Sequence, residues 1–142
     1  MTDPTPNMSG INVDALLAAA RVVLVNSYAP YSKIHVAAAI LLEDDSVVTG
    51  VNVENASYGL TICAEQSAMV SAISQGKRRF KAVAITTSGQ KPISPCGACR
   101  QVLSEFATSD AVVILDIGDG QPPIVYALLK LLPAAFKPWH TS

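Results

Sequence analysis

Val13, Leu16, Leu17, Ala20 and Leu24 recur at helical spacing near the start of the chain, so one stripe of a helix faces a core. That spacing predicts a helix capped by Ser9 or Asn12 and running to about Asn26, closed by Tyr28-Ala29-Pro30-Tyr31-Ser32. The period then changes. Val36 to Leu42 is an unbroken apolar run of strand length, Glu43-Asp44-Asp45-Ser46 is a turn, and Val47 to Val53 supplies the second arm of a hairpin. From Ala64 to Gln75, Ala68, Met69, Ala72 and Ile73 mark a second helix, with Gly76 suited to its exit. Ala82 to Thr87 reads as a strand. Ser94-Pro95 pairs a capping hydroxyl with a first-turn proline and opens a third helix. Val112 to Asp116 and Ile124 to Tyr126 read as strands on either side of Gly118-Asp119-Gly120, and Ala127 to Leu132 as a last helix. The order αββαβαββα predicts an α/β fold in three layers, a mixed sheet with helices on its faces.

A chain of 142 residues suits one domain with one core. Hydrophobic residues make up 50% and charged ones 15%, with a mean hydropathy of +0.35. A soluble monomer needs less apolar surface than that, so part of the excess is expected in subunit contacts. Residues 1–10, with Pro4, Pro6, Asn7, Ser9 and Gly10, read as a loose arm, residues 11–137 as the domain and 138–142 as a tail. The arm lacks the basic start and apolar centre of a secretory leader. The longest apolar run, Val36 to Leu42, is far short of the roughly 20 residues that cross a bilayer. A cytoplasmic protein without a membrane segment is expected. Net charge of -1 gives no electrostatic reason to hold nucleic acid, and the one basic cluster, Lys77, Arg78, Arg79 and Lys81, reads as a solvated turn. A small-molecule partner fits better.

All three cysteines fall in two short motifs, Cys63-Ala64-Glu65 and Pro95-Cys96-Gly97-Ala98-Cys99. Their spacing suits one zinc ion with Cys63, Cys96 and Cys99 as ligands and the fourth position open to water. Glu65 stands two residues past the first ligand, where a carboxylate can exchange protons with that water. Cys63 falls near the start of the second helix, and Cys96 and Cys99 in the first turns of the third. Helix N-termini favour thiolate over thiol and withdraw charge from a site that carries a net -1 with zinc bound. The rival readings are a redox pair at Cys96 and Cys99, or a structural zinc closed by His35 or His140.

The Cys-x-Glu and Pro-Cys-x-x-Cys pair resembles the signature of zinc-dependent nucleobase deaminases. Nearly the whole chain is similar to the small homotetrameric cytidine deaminases. The likeness runs from Tyr28-Ala29-Pro30-Tyr31-Ser32-Lys33, through residues 51–65 and 94–102, to Leu131-Leu132-Pro133-Ala134-Ala135-Phe136. It implies a three-layer α/β/α fold with a mixed five-stranded sheet, and one Zn2+ per subunit on Cys63, Cys96 and Cys99. It further implies hydrolysis of cytidine and deoxycytidine to their uridine counterparts with release of ammonia, in a homotetramer with shared active sites.

By the same resemblance Glu65 is the proton shuttle, and Asn52 and Glu54 hold a sugar hydroxyl. Two apart in a strand, those two also project to one face on geometric grounds. Backbone groups at Ala64 and Cys96 read the base. Tyr58 and Phe136 reach substrate across subunit contacts, although Phe136 taken alone reads as core. Ile34 stands where the family has Phe, replacing ring stacking by aliphatic packing. Gln66 stands where many members have an Arg that neutralises the thiolates, and Arg100 is expected to compensate in part. Ala37 for Gly is a minor departure. Rival functions are deamination of a modified nucleoside such as blasticidin S, a catalytically silent zinc module, and nucleic-acid editing.

Overall fold

Asn12, not Ser9, caps the first helix: its side-chain oxygen accepts the Ala15 N–H at 3.1 Å. The computed structural model describes residues 6–118 and 120–137, and the tail 138–142 with His140 lies outside them. Helix α1 spans Val13–Val23, and a 3-10 turn, Leu24–Asn26, carries it to the expected end. Strands β1 (Val36–Leu42) and β2 (Val47–Val51) form the hairpin. A 3-10 turn at Tyr58–Leu60 precedes α2 (Ala64–Ser74), and β3 (Phe80–Thr87), α3 (Gly97–Phe106), β4 (Ala107–Leu115), β5 (Ile124–Ala127) and α4 (Leu128–Leu131) follow.

The five strands lie in the order β2-β1-β3-β4-β5, and β3 and β4 are the parallel pair in an otherwise antiparallel sheet. A parallel pair needs a crossover long enough to bring the chain back. Helix α3 is that crossover, and Cys96 and Cys99 lie at its start. The expected mixed five-stranded, three-layer α/β architecture is what the chain adopts.

Strand β1 reads as a continuous apolar run because it is covered on both faces. Ala38, Ile40 and Leu42 join a core with Ala64, Ala68, Met69, Ala72, Leu103 and Leu128, which come from α2, α3 and α4. Ala39 and Leu41 point the other way and meet Leu16, Leu17 and Ala20 of α1. Met8 and Ile11 pack against that second cluster.

Helix α2 lies unusually close to the sheet. A Cβ added at Gly50 of β2 would stand 2.3 Å from the Ala68 nitrogen and 2.8 Å from the Ala64 oxygen, inside any tolerable contact. Gly50 together with the buried small residues Ala64, Ala68 and Ala72 lets the two backbones touch.

Several boundaries differ from the sequence reading, most of all in the strands. Strand β2 stops at Val51, not Val53, because Val53 leaves the β1 ladder to bridge Tyr28 and Ile62. Strand β3 begins at Phe80 and β4 at Ala107, earlier than their apolar runs, since Phe80 and Ala107 pair across the parallel ladder. Among the described residues no helix is long and apolar enough to cross a membrane.

Candidate metal centre and active site

The N-termini of α2 and α3 meet, and each begins with a cysteine at its cap position. Cys96 takes the cap itself, with Ser94 and Pro95 before the helix and not within it. The Cys96 sulfur accepts the Cys99 N–H at 3.4 Å, doing the work expected of the Ser94 hydroxyl. Ser94 Oγ instead accepts from the Arg100 guanidinium at 3.0 Å.

The sulfurs of Cys63 and Cys96 are 3.9 Å apart and those of Cys96 and Cys99 3.3 Å. All three lie within 4.8 Å of one another. A tetrahedral zinc with sulfur ligands at about 2.3 Å holds them about 3.8 Å apart, so the triad fits that ion. Among the described residues no His, Asp or Glu joins the three as a fourth ligand. His35, the candidate fourth ligand, is not in the group; its backbone N–H donates to Ser88 Oγ, and its carbonyl accepts from Ser88 and Thr87. A site of three thiolates without a fourth side chain leaves room for a reactant.

Burial and hydrogen bonding split the thiols. Cys63 is lowered to about 7, chiefly by a hydrogen bond from Cys99. Cys99, which donates that bond and is buried, is pushed up. Gln66 donates to the Cys99 sulfur at 3.6 Å, so it does reach the metal ligands as a neutral donor. Arg100 does not contact a thiol, contrary to expectation. Its guanidinium is spent on the Pro95 carbonyl at 2.7 Å, the Leu131 carbonyl at 2.9 Å and Ser94, which tie the α3 start to α4.

Glu65, the second residue of α2, is only 3% exposed. Burial raises its carboxyl above the ordinary range, opposed by its own backbone and by Cys99. A carboxylate poised upward by desolvation beside three sulfurs is suited to take and return protons.

Asn52 and Glu54 both turn to the 27–36 segment. Asn52 is 8% exposed. Its Oδ1 accepts the Val36 N–H at 2.9 Å and the Ser27 hydroxyl, and its Nδ2 donates to the Ile34 carbonyl at 2.9 Å. Glu54 Oε1 accepts N–H groups of Tyr31 and Ser32 at 2.9 and 3.1 Å, and Oε2 accepts the Ser32 hydroxyl. Those bonds, Ser32's hydroxyl foremost, hold Glu54 below the usual carboxylate range. Beside it lies a cavity of about 270 Å³ lined by Tyr31, Ser32, Glu54, Tyr58 and Thr61.

Tyr58 is 75% exposed, in edge contact with Tyr31 at 5.8 Å between centroids. Phe136 is 78% exposed, so the core reading of that residue fails. Ile34 is also exposed and Ala64 fully buried at the first turn of α2. Sequence reasoning passed over Gly50, Ser27 and Ser32. A glycine inside a strand pattern was the available signal for the first; the serines carried none.

Residues 12–115 match the family model described as the cytidine and deoxycytidylate deaminase zinc-binding region. The chain is 46% identical over 110 residues to a cytidine deaminase of Halalkalibacterium halodurans, covering 78% of this chain and 83% of that one. It is 43% identical over 128 residues to a cytidine deaminase of Sporosarcina psychrophila, covering 89% and 92%. The crystal structure of a cytidine deaminase from Burkholderia pseudomallei superposes with a TM-score of 0.82 at 43% identity, over 89% of this chain and 100% of that one.

Proposed function

We infer the reaction from the family: the chain belongs to the cytidine and deoxycytidylate deaminases, and it hydrolyses cytidine and deoxycytidine to uridine and deoxyuridine. The observation that carries this reading is the buried Glu65 next to three convergent cysteine sulfurs with no fourth protein ligand among the described residues.

Cys63, Cys96 and Cys99 would hold the zinc, which would supply Lewis-acid activation of a water molecule. Glu65 takes the water proton and passes it to the ring nitrogen N3 as oxygen adds at C4. It then takes the proton of the new C4 hydroxyl and delivers it to the departing amino group, so ammonia leaves and a carbonyl remains. One carboxyl serves both directions, and burial raises it above the ordinary carboxylate range, which makes it a better base than an exposed acid. The Ala64 N–H, at the first turn of α2 where helix amides lack internal partners, reads the base edge together with the backbone at Cys96.

Asn52 and Glu54 meet the sugar, and Ile34 packs on the pyrimidine. Tyr58 and Phe136, too exposed to stabilise a single chain, complete the sites of neighbouring subunits in a homotetramer. Three free cysteines that must ligate as thiolates favour a reducing compartment, the cytoplasm.

Ultraviolet absorbance of cytidine, deoxycytidine and blasticidin S with purified protein tests the reading. Turnover of the two ordinary nucleosides, with none in a zinc-loaded Glu65→Gln variant, is the expected result. Turnover confined to blasticidin S would reassign the substrate.

A further inference from the structure

Asn52 and Glu54 differ in what they still offer a ligand once their protein contacts are counted. A carboxamide has two lone pairs on oxygen and two N–H donors. The Val36 amide can only donate and the Ile34 carbonyl can only accept, so their bonds at 2.9 Å each fix which end of Asn52 is oxygen. The Ser27 hydroxyl donates to the same Oδ1, filling its second lone pair. One N–H remains. Glu54, with Oε1 taking two backbone amides and Oε2 the Ser32 hydroxyl, is an acceptor with capacity left on Oε2.

We propose that Ser27 is a positioning residue that makes Asn52 a donor-only partner, so that Asn52 and Glu54 together select a sugar hydroxyl, a group that accepts from one and donates to the other. The proposal rests on the reading that Asn52 meets the sugar. Ser27 ends the 3-10 turn after α1 and lies outside the motif residues, so its hydroxyl acts through Asn52 and not on the nucleoside. Without it one Oδ1 lone pair loses its donor in a nearly closed site, the amide loses one of three anchors, and the remaining N–H is less polarised.

The test compares wild type, Ser27→Ala and Ser27→Thr on cytidine and on analogues each lacking one sugar hydroxyl. In parallel, nitrogen-15 NMR follows hydrogen exchange of the Asn52 carboxamide protons. Ser27→Ala should lower the preference for one hydroxyl by about three- to ten-fold through KM with kcat little changed, and should speed Asn52 amide exchange. Ser27→Thr should restore both. An equal loss on every nucleoside, as a general packing defect gives, or unchanged Asn52 exchange, overturns the proposal. A wild type that turns over no cytidine sinks the substrate reading instead, and amide exchange still decides whether Ser27 anchors Asn52.

Discussion

Two buried carboxylates in this molecule are treated in opposite ways. Asp116, at the end of β4, receives Arg21 of α1 through two bonds at 2.8 and 2.7 Å, the Thr86 hydroxyl at 2.8 Å and the Gly118 N–H at 3.0 Å. Arg21 first, then these other donors, bring it down to about 2. Glu65 is buried more deeply, yet burial is what dominates it, and its carboxyl moves up. A partner cation with several donors fixes the charge of Asp116 and adds stability; at Glu65 burial outweighs the hydrogen bonds it has. The fold thus uses one acid to join α1 to the sheet and buries the other beside the cysteine cluster, where the proposed reaction needs it.

The sharpest way to break this contrast is Glu65→Gln, which keeps shape and removes the proton shuttle. Turnover should fall by about 10²–10⁴-fold while zinc content, measured by elemental analysis, stays at that of wild type. Retained turnover would dissolve the functional half of the comparison.

Next in size is the support under Glu65. Gly50→Ala forces a Cβ to 2.3 Å from the Ala68 nitrogen, and a helix backbone cannot step aside as a side-chain tip can. Denaturant unfolding should show a loss of about 1–3 kcal/mol, with weakened zinc retention because α2 carries Cys63. A neutral result would mean that α2 has freedom to shift.

Asp116→Asn tests the stabilising half. Because the folded pKa is depressed from 3.8 to about 2, the contribution is fully present above about 3.8 and vanishes as pH falls toward 2. At neutral pH the variant should lose about 1–2 kcal/mol, discounted for the half-exposed Arg21. The difference from wild type should shrink as unfolding is repeated at pH 3 and then 2, while turnover at neutral pH is retained.

The smallest effect is expected at Gln66, whose amide donates to Cys99 at 3.6 Å. Gln66→Arg adds positive charge beside the thiolates and should move the acidic limb of the activity profile down by about half a unit. An unchanged profile would show that the helix ends already withdraw enough charge. The metal-free protein gives a related check: with Cys63 at about 7, zinc uptake should release protons and weaken steeply below neutral pH.

Much of this was legible in the chain because the signals were local. Val36–Leu42 was readable to the residue, since an apolar run ends at acidic turn residues, and Cys63, Glu65, Cys96 and Cys99 stood in short motifs with fixed spacing. The polar start of β4, residues 107–110, was not readable; it is a strand because Phe80 lies beside Ala107. Nor was the cap of α3, where the Cys96 sulfur displaced Ser94. Arg100 looked like a charge donor from its neighbour Cys99 and proved to be a brace to α4.

By itself the sequence marked three cysteines and an acid in short motifs and the order of the strands and helices, because spacing along a chain carries those signals. Only the tertiary structure decided that Asp116 would be lowered by Arg21 and Glu65 raised by burial, that Gly50 would admit α2 against the sheet, and that Ser27 would reach Asn52. Those outcomes depend on atoms brought together from distant segments, and a group's charge and hydrogen-bond capacity are set by its surroundings in space.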